Sequence, residues 1–425
     1  MPAPSQSLLV ALTASCIACK TDAHPRGVTD RVDPWSDQSS DAAELSCHAS
    51  VTGTIHMPNG VLPVSQAFVY LTTQNQPASR SGSCSQCLNP LTLASYATTA
   101  PDGSFELWAA PGTYRFFVEK GIFRRSAEVT VVSCSDDVAL DPEATRLPRN
   151  NVEGVIPEIA VITGEFDRME VVLARLGLGE VDASGRLVRS EFDVFAGRNP
   201  DNVSYSEGAQ LIRDRARLLG YDYLFIDCGA SVYSGSPEIV TNLQTFVEQG
   251  GRLYVTDLAF GYVEDAWPTA IGFVGSGSRG LGPEPEPYDL ALAGDAGQVV
   301  VGTIHDDSLA AWLRVIGALE PDGSVQLTSW GPGWAVMQGV SPEQGRTWVS
   351  GDVSWTDWSN VTSVSGHQPL TVSFDRGCGR ALFTSYHTIE VPEGEPTPPD
   401  LHPQELILGY LSVEIGACID EPIVW

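Results

Sequence analysis

Residues 221–260, YDYLFIDCGASVYSGSPEIVTNLQTFVEQGGRLYVTDLAF, constrain the fold more than any other stretch of the chain. Residues 223–226 are a short apolar run with aromatic and β-branched members, the pattern of a strand buried on both faces. Ser236, Pro237 and Glu238 make a helix start: a capping hydroxyl, a proline at the first position and an acid facing the positive end of the dipole. Ile239, Val240, Leu243, Phe246 and Val247 then fall on one helical face. Gly250 and Gly251 end the helix before a second strand at residues 252–256. Strand, crossover helix and strand in this order form a right-handed parallel pair. Ligands of such sheets sit beyond the strands' carboxyl ends, which here are Asp227, Cys228 and Gly229 on one strand and Asp257 on the other.

The alternation extends in both directions. Residues 159–163 (IAVIT) read as a buried strand, and Asp167 is a candidate cap for a helix with Met169, Val172, Leu173 and Leu176 on one face. A strand at 192–195 and a helix at 207–219 follow. Together they predict a flavodoxin-like, doubly wound α/β domain over residues 157–420. Beyond residue 260 a Gly/Pro-rich loop opens a β-rich insertion: a strand at 299–304, a helix at 308–316, and turn-punctuated strands at 325–329, 334–338 and 347–350. Strands at 370–374 and 380–385 and a helix at 403–415 return to the α/β pattern. Trp330, Trp334, Trp348, Trp355 and Trp358 crowd this insertion, either as a sugar-binding platform or, more commonly, as core.

Residues 46–142 read differently. Short strands at 50–55, 67–72, 105–108, 114–118 and 127–132 are separated by turn chemistry such as Pro58-Asn59-Gly60 and Pro101-Asp102-Gly103. This is the signature of a small all-β sandwich. The spacing of Gly103, Phe105, Leu107, Pro111, Gly112 and Tyr114 resembles the carboxypeptidase regulatory-like domain, a prealbumin-like sandwich. The resemblance implies an accessory module and no peptidase activity. Cys47, Cys84, Cys87 and Cys134 fall in or beside this segment. Disulfides are the expected state for an exported chain, with a four-cysteine zinc site as the competing reading. Residues 143–156, with Pro, Asn and Gly, read as a linker.

At the amino terminus the apolar run at residues 8–14 is too short to span a bilayer and has the length of a signal-peptide core. Thr13-Ala14-Ser15-Cys16 resembles a bacterial lipobox, although no Lys or Arg precedes the run and Thr13 stands where Leu is usual. The resemblance implies a signal segment at 1–19, lipidation of Cys16, and an exported protein held at the outer membrane, periplasm or cell surface. Residues 20–45, rich in Asp, Ser and Pro, read as a tether. The chain carries 53 Asp+Glu against 24 Lys+Arg, a net charge of -29. That excludes nucleic acid as a partner and leaves the lipid anchor as the only expected membrane contact. No EF-hand spacing occurs, which leaves calcium binding by acidic loops such as His305-Asp306-Asp307 a weak signal, and no metal or cofactor is expected.

The order IAVIT, YDYLFIDCG, FVEQGGRLYVTD and RALFTSYHTIE is similar to the class I glutamine amidotransferase-like fold, and more closely to its non-catalytic or divergent branches. Catalytic members place a cysteine nucleophile on a glycine-flanked elbow after the second strand of the unit. Here that position is Asp257, within Thr256-Asp257-Leu258-Ala259. His387 falls at the family's histidine, while Glu390 follows three residues later rather than two. The resemblance therefore implies a site without its nucleophile. Cys228, one strand early, is the substitute candidate, with His387 as its base; buried packing is its commoner fate. Cys378 and Cys418 are candidates for a further disulfide. The expected function is a non-catalytic binding or structural lipoprotein of the cell envelope, with an envelope protein or glycan as partner. A cysteine hydrolase or amidase using Cys228 and His387 is the first alternative and a carbohydrate-binding protein the second.

Overall fold

The computed structural model describes residues 47–73, 93–198, 205–230, 236–274, 293–328, 330–343, 345–357, 361–388 and 401–414. Residues 47–425 form a single compact unit. Cys16, Cys84, Cys87, Trp358, Glu390 and Cys418 lie outside the described residues.

The amino-terminal part is a two-sheet sandwich. Its strands are β1 (Ala49–Thr54), β2 (Phe68–Thr72), β3 (Ser95–Thr98), β4 (Ser104–Ala109), β5 (Gly112–Lys120), β6 (Phe123–Val131) and β7 (Asp137–Ala139). One sheet has the order β4-β1-β7 and the other β3-β2-β5-β6. Inward residues of both sheets alternate along the strands as sandwich packing requires: Val51, Val69, Leu107, Val118 and Val129 are buried together. Phe105 stacks on Phe116 at 5.3 Å between ring centroids. Strands β3 and β7 were not legible in the sequence, being only 4 and 3 residues long. Cys47 and Cys134 form a disulfide, which removes two ligands from the four-cysteine zinc reading.

The connection at 143–156 is packed rather than free. It begins in a short helix, α1 (Pro142–Thr145), capped by Asp141. Arg146 is 1% exposed and Leu147 is fully buried. All five guanidinium N–H groups of Arg146 are used: on Glu143, on Glu153 and on the Leu147 carbonyl. The following segment pairs Val155 with Arg124 of β6. Composition alone reads Pro and Asn as a linker, but here they serve tight turns around a buried cation.

The α/β part starts with β8 (Ile159–Thr163) and α2 (Met169–Leu173), then a hairpin of β9 (Gly179–Val181) and β10 (Leu187–Ser190) that the sequence did not reveal. β11 (Asp193–Ala196), α3 (Glu207–Arg213) and α4 (Arg215–Leu218) follow. The single helix expected at 207–219 breaks at Asp214, whose backbone is non-helical and whose carboxylate accepts the Arg217 N–H. Next come β12 (Tyr223–Ile226), α5 (Pro237–Glu248), β13 (Arg252–Thr256), α6 (Gly261–Ala266) and β14 (Ile271–Phe273). The insertion supplies β15 (Val300–Ile304), α7 (Asp307–Val315), β16 (Val325–Leu327), β17 (Met337–Val340), β18 (Gly345–Asp357) and β19 (Thr362–Arg376). β20 (Gly379–Thr384) and α8 (Pro403–Glu414) complete the chain's described elements.

The main sheet has nine strands in the order β11-β8-β12-β13-β20-β19-β18-β15-β16. Its first five are parallel, and their order is the flavodoxin-like 2-1-3-4-5. The insertion does not stand apart: β19 pairs antiparallel with β20 and extends the sheet through four more strands. Successive residues of β12 point to opposite faces, Leu224 and Ile226 toward α3 and α5, Tyr223 and Phe225 toward the opposite core. That second core is continuous with the interior of the sandwich. Trp330, Trp334, Trp348 and Trp355 are all buried in it and offer no platform to a sugar. Trp312 of α7 packs on Tyr410 of α8 and donates its indole N–H to the Pro63 carbonyl of the sandwich at 2.8 Å. Among the described residues no helix is long and apolar enough to cross a membrane.

Candidate functional site

The parallel strands β8, β12, β13 and β20 deliver their carboxyl ends to one edge, and the sequence candidates meet there. Asp257 follows β13 directly and has φ +39°, in the left-handed region that is uncommon outside glycine but which Asp and Asn enter more readily than other residues. A turn at Asp257–Ala259 and α6 follow at once. Asp257 therefore occupies a sharp strand-to-helix elbow, although no glycine flanks it. Its Oδ1 accepts the Ala335 N–H at 2.8 Å. Its Oδ2 faces the Cys228 thiol at 3.4 Å and His387 Nε2 at 3.9 Å. The His387 Nδ1–H donates to the Thr388 carbonyl at 2.7 Å, which fixes the ring with Nε2 turned to Asp257. Cys228, Asp257 and His387 are 0%, 3% and 5% exposed.

The electrostatics disfavour a thiolate. Burial pushes the Cys228 thiol well up, and the Asp257 carboxylate pushes it further. Burial also raises Asp257, to about 6, against the opposing pull of His387. Asp227, the neighbour of Cys228 in the chain, would add its charge to the thiol only by pointing the same way. It turns away instead: its Oδ2 accepts the Met169 N–H at the start of α2, at 3.3 Å. Burial and the neighbouring Asp167 and Glu170 carboxylates raise Asp227 well above its ordinary value.

Asp167 is not the cap of α2. It ties three strand ends together, accepting the Thr256 hydroxyl at 2.5 Å on Oδ2, and the N–H groups of Arg168 and Thr388 on Oδ1. Thr256 in turn accepts the Cys228 N–H at 2.8 Å. The roles of Asp167, Thr256 and Thr388 left no sequence signal, since each depends on a partner at least 89 residues away in the chain.

The strand order reverses between β8 and β12, where an open sheet of this kind places its ligand crevice. Here backbone fills that position. Phe166 N–H donates to the Cys228 carbonyl at 3.2 Å, and a side chain at Gly164 would collide with that same carbonyl. Of the remaining sequence candidates, Cys378 is disulfide-bonded; Glu390 and Cys418 cannot be placed, being outside the described residues.

No family model and no curated protein sequence matches the chain. Among solved structures it is similar to a ThuA-like protein from Parabacteroides merdae, at 16% identity and TM-score 0.35, covering 62% of this chain and 92% of that one. A ThuA-like protein from Bacteroides uniformis is 10% identical with TM-score 0.33, covering 62% and 93%. A cytoplasmic protein from Salmonella typhimurium is 10% identical with TM-score 0.33, covering 60% and 98%. At such values the likeness adds nothing to the strand order above, and the chain is similar to these proteins without being assigned to their family.

Proposed function

We propose that this chain is a binding or structural lipoprotein of the cell envelope whose α/β domain performs no acyl transfer. The observation that supports this reading is the elbow itself. Acyl transfer requires a nucleophile activated by a base, with N–H donors aimed at the developing oxyanion. The elbow presents a buried carboxylate, Asp257, which would repel that oxyanion. Cys228 lies one strand away with its thiol against the same carboxylate, and backbone occupies the switch-point crevice. On this reading the sandwich is an accessory module of the carboxypeptidase regulatory-like kind, and Cys16 is the anchor.

Two measurements address the halves of the proposal. Metabolic labelling with a palmitate analogue should tag the wild type and not Cys16→Ser; equal labelling, or recovery of unlabelled protein from the cytosol, removes the anchor. Native iodoacetamide treatment of metal-stripped protein at neutral pH should leave Cys228 unmodified until denaturant is added. Rapid native alkylation of Cys228 would favour the cysteine hydrolase.

A further inference from the structure

We propose that Cys228, Asp257 and His387 form a zinc site that clamps the ends of β12, β13 and β20. The donor set suits zinc. Sγ, a carboxylate oxygen and an imidazole nitrogen come from three adjacent parallel strands, and these three atoms all lie within 4.8 Å of one another. Sulfur, nitrogen and oxygen together select a borderline cation such as Zn(II) over Ca(II) or Mg(II), which take oxygen alone.

The donor separations bear on the same ion. Zinc bonds of roughly 2.3 Å to sulfur and 2.0–2.2 Å to nitrogen or oxygen, at tetrahedral angles, separate the donors by about 3.4–3.6 Å. Cys228 Sγ and Asp257 Oδ2 are 3.4 Å apart, and His387 Nε2 and Asp257 Oδ2 are 3.9 Å apart. The third pair, Cys228 Sγ and His387 Nε2, lies within 4.8 Å, so closing the shell requires the imidazole to approach the sulfur by up to roughly 1 Å.

Two of the donors are also held in orientation. A ligating histidine usually donates its other ring N–H to a carbonyl or carboxylate, and a ligating carboxylate is itself hydrogen-bonded. His387 Nδ1 meets the Thr388 carbonyl at 2.7 Å, and Asp257 Oδ1 takes the Ala335 N–H at 2.8 Å. Each contact turns the remaining donor atom inward. Among the described residues, His387 is the one basic side chain within ion-pair distance of Asp257. A divalent ion would neutralise this carboxylate. All three ligands are buried, which sets the ion away from bulk solvent, and three protein donors leave its fourth position open. Sequence offered no warning, because ligands 29 and 130 residues apart (228, 257, 387) form no spacing motif.

The test uses the full chain, stripped with chelator and then titrated with Zn(II) and, separately, Co(II). One Zn(II) per chain is expected, with a raised thermal midpoint. Co(II) should produce a thiolate-to-metal charge-transfer band that Cys228→Ser abolishes and Cys84→Ser/Cys87→Ser retains. His387→Gln should weaken Zn(II) binding at least tenfold while far-ultraviolet circular dichroism shows the apo variant folded. Absence of stoichiometric zinc, or a band lost with Cys84 and Cys87 instead, overturns the assignment. Should Cys228→Ser fail to fold, native mass spectrometry of Cys84→Ser/Cys87→Ser with and without Zn(II) decides the question: one bound ion keeps the assignment and none overturns it. The outcome is independent of amide turnover, so failure here and failure of the proposed function are distinguishable.

Discussion

Replacing Arg146 with methionine should show how far the connection at 143–156 is structural. The guanidinium is 1% exposed and every donor is paired, four of its five hydrogen bonds going to Glu143 or Glu153. Arg146 holds the Glu153 carboxyl at about 2, against an ordinary 4.5. That difference corresponds to roughly 3 kcal/mol. About a quarter of the Glu153 side chain remains exposed, so solvent screening takes part of it. Glu143 is 58% exposed and can be rehydrated once Arg146 is gone. We therefore expect Arg146→Met to cost about 2–3 kcal/mol at pH 7, just under the roughly 3–5 kcal/mol for breaking a fully buried pair, because both carboxylates can be rehydrated. Because the folded-state pKa of Glu153 is depressed, its contribution is present above about 4.5 and is lost as pH falls toward about 2. Urea denaturation of wild type and variant should show the full gap at pH 7 and a shrinking gap below pH 4.5. Arg146→Met/Glu153→Gln should cost less than the sum of the single changes. A loss under about 0.5 kcal/mol, typical of a surface pair, or a gap independent of pH, would refute the reasoning.

Two other substitutions probe the packing. Gly177 has φ +103°, and a side chain there would collide with the backbone of Pro58 and Asn59 in the sandwich. Gly177→Ala should lower the calorimetric midpoint and cost at least about 2 kcal/mol; a neutral outcome would mean that the sandwich does not dock against this turn. Glu170, with Oε2 buried and unpartnered, is raised to about 7 by burial first and by Asp167 next. A raised carboxyl contributes stability below about 4.5 that is lost as pH rises through about 7, so Glu170→Gln should stabilise by about 1–2 kcal/mol at pH 8 and little at pH 4. The same gain at both pH values would rule that ionisation out as its source.

The fold was legible where one short segment carries its own pattern. β8, β12 and β13 have the bounds expected from buried apolar runs, and Pro237 and the Gly250/Gly251 pair bracket α5. Ser236 marks that helix start, but its hydroxyl makes no capping hydrogen bond. Legibility failed where strands are short, as in β3, β7, β9 and β10, or where the outcome depends on distant pairing. Nothing in the local pattern of 345–376 says that β18 and β19 will extend the parallel sheet; that follows from the β19–β20 ladder. The candidate site divides the same way. Position in the strand–helix–strand unit singles out Cys228 and Asp257, whereas His387 and the elbow role of Asp257 rest on the family resemblance. Sequence could not show that the thiol faces that carboxylate, that Asp227 turns to α2, or that Asp167 joins three strand ends. Each of those facts is a contact across the sheet.

The central claim, that the elbow occupied by Asp257 leaves this domain without acyl-transfer chemistry, is tested most directly by turnover. Hydrolysis of glutamine and of a panel of peptide amides should be measured at neutral pH for the wild type, Cys228→Ala and His387→Ala, with and without chelator. All samples should match the protein-free blank. Turnover above the blank that disappears in both variants would contradict the account and establish Cys228 and His387 as a catalytic pair.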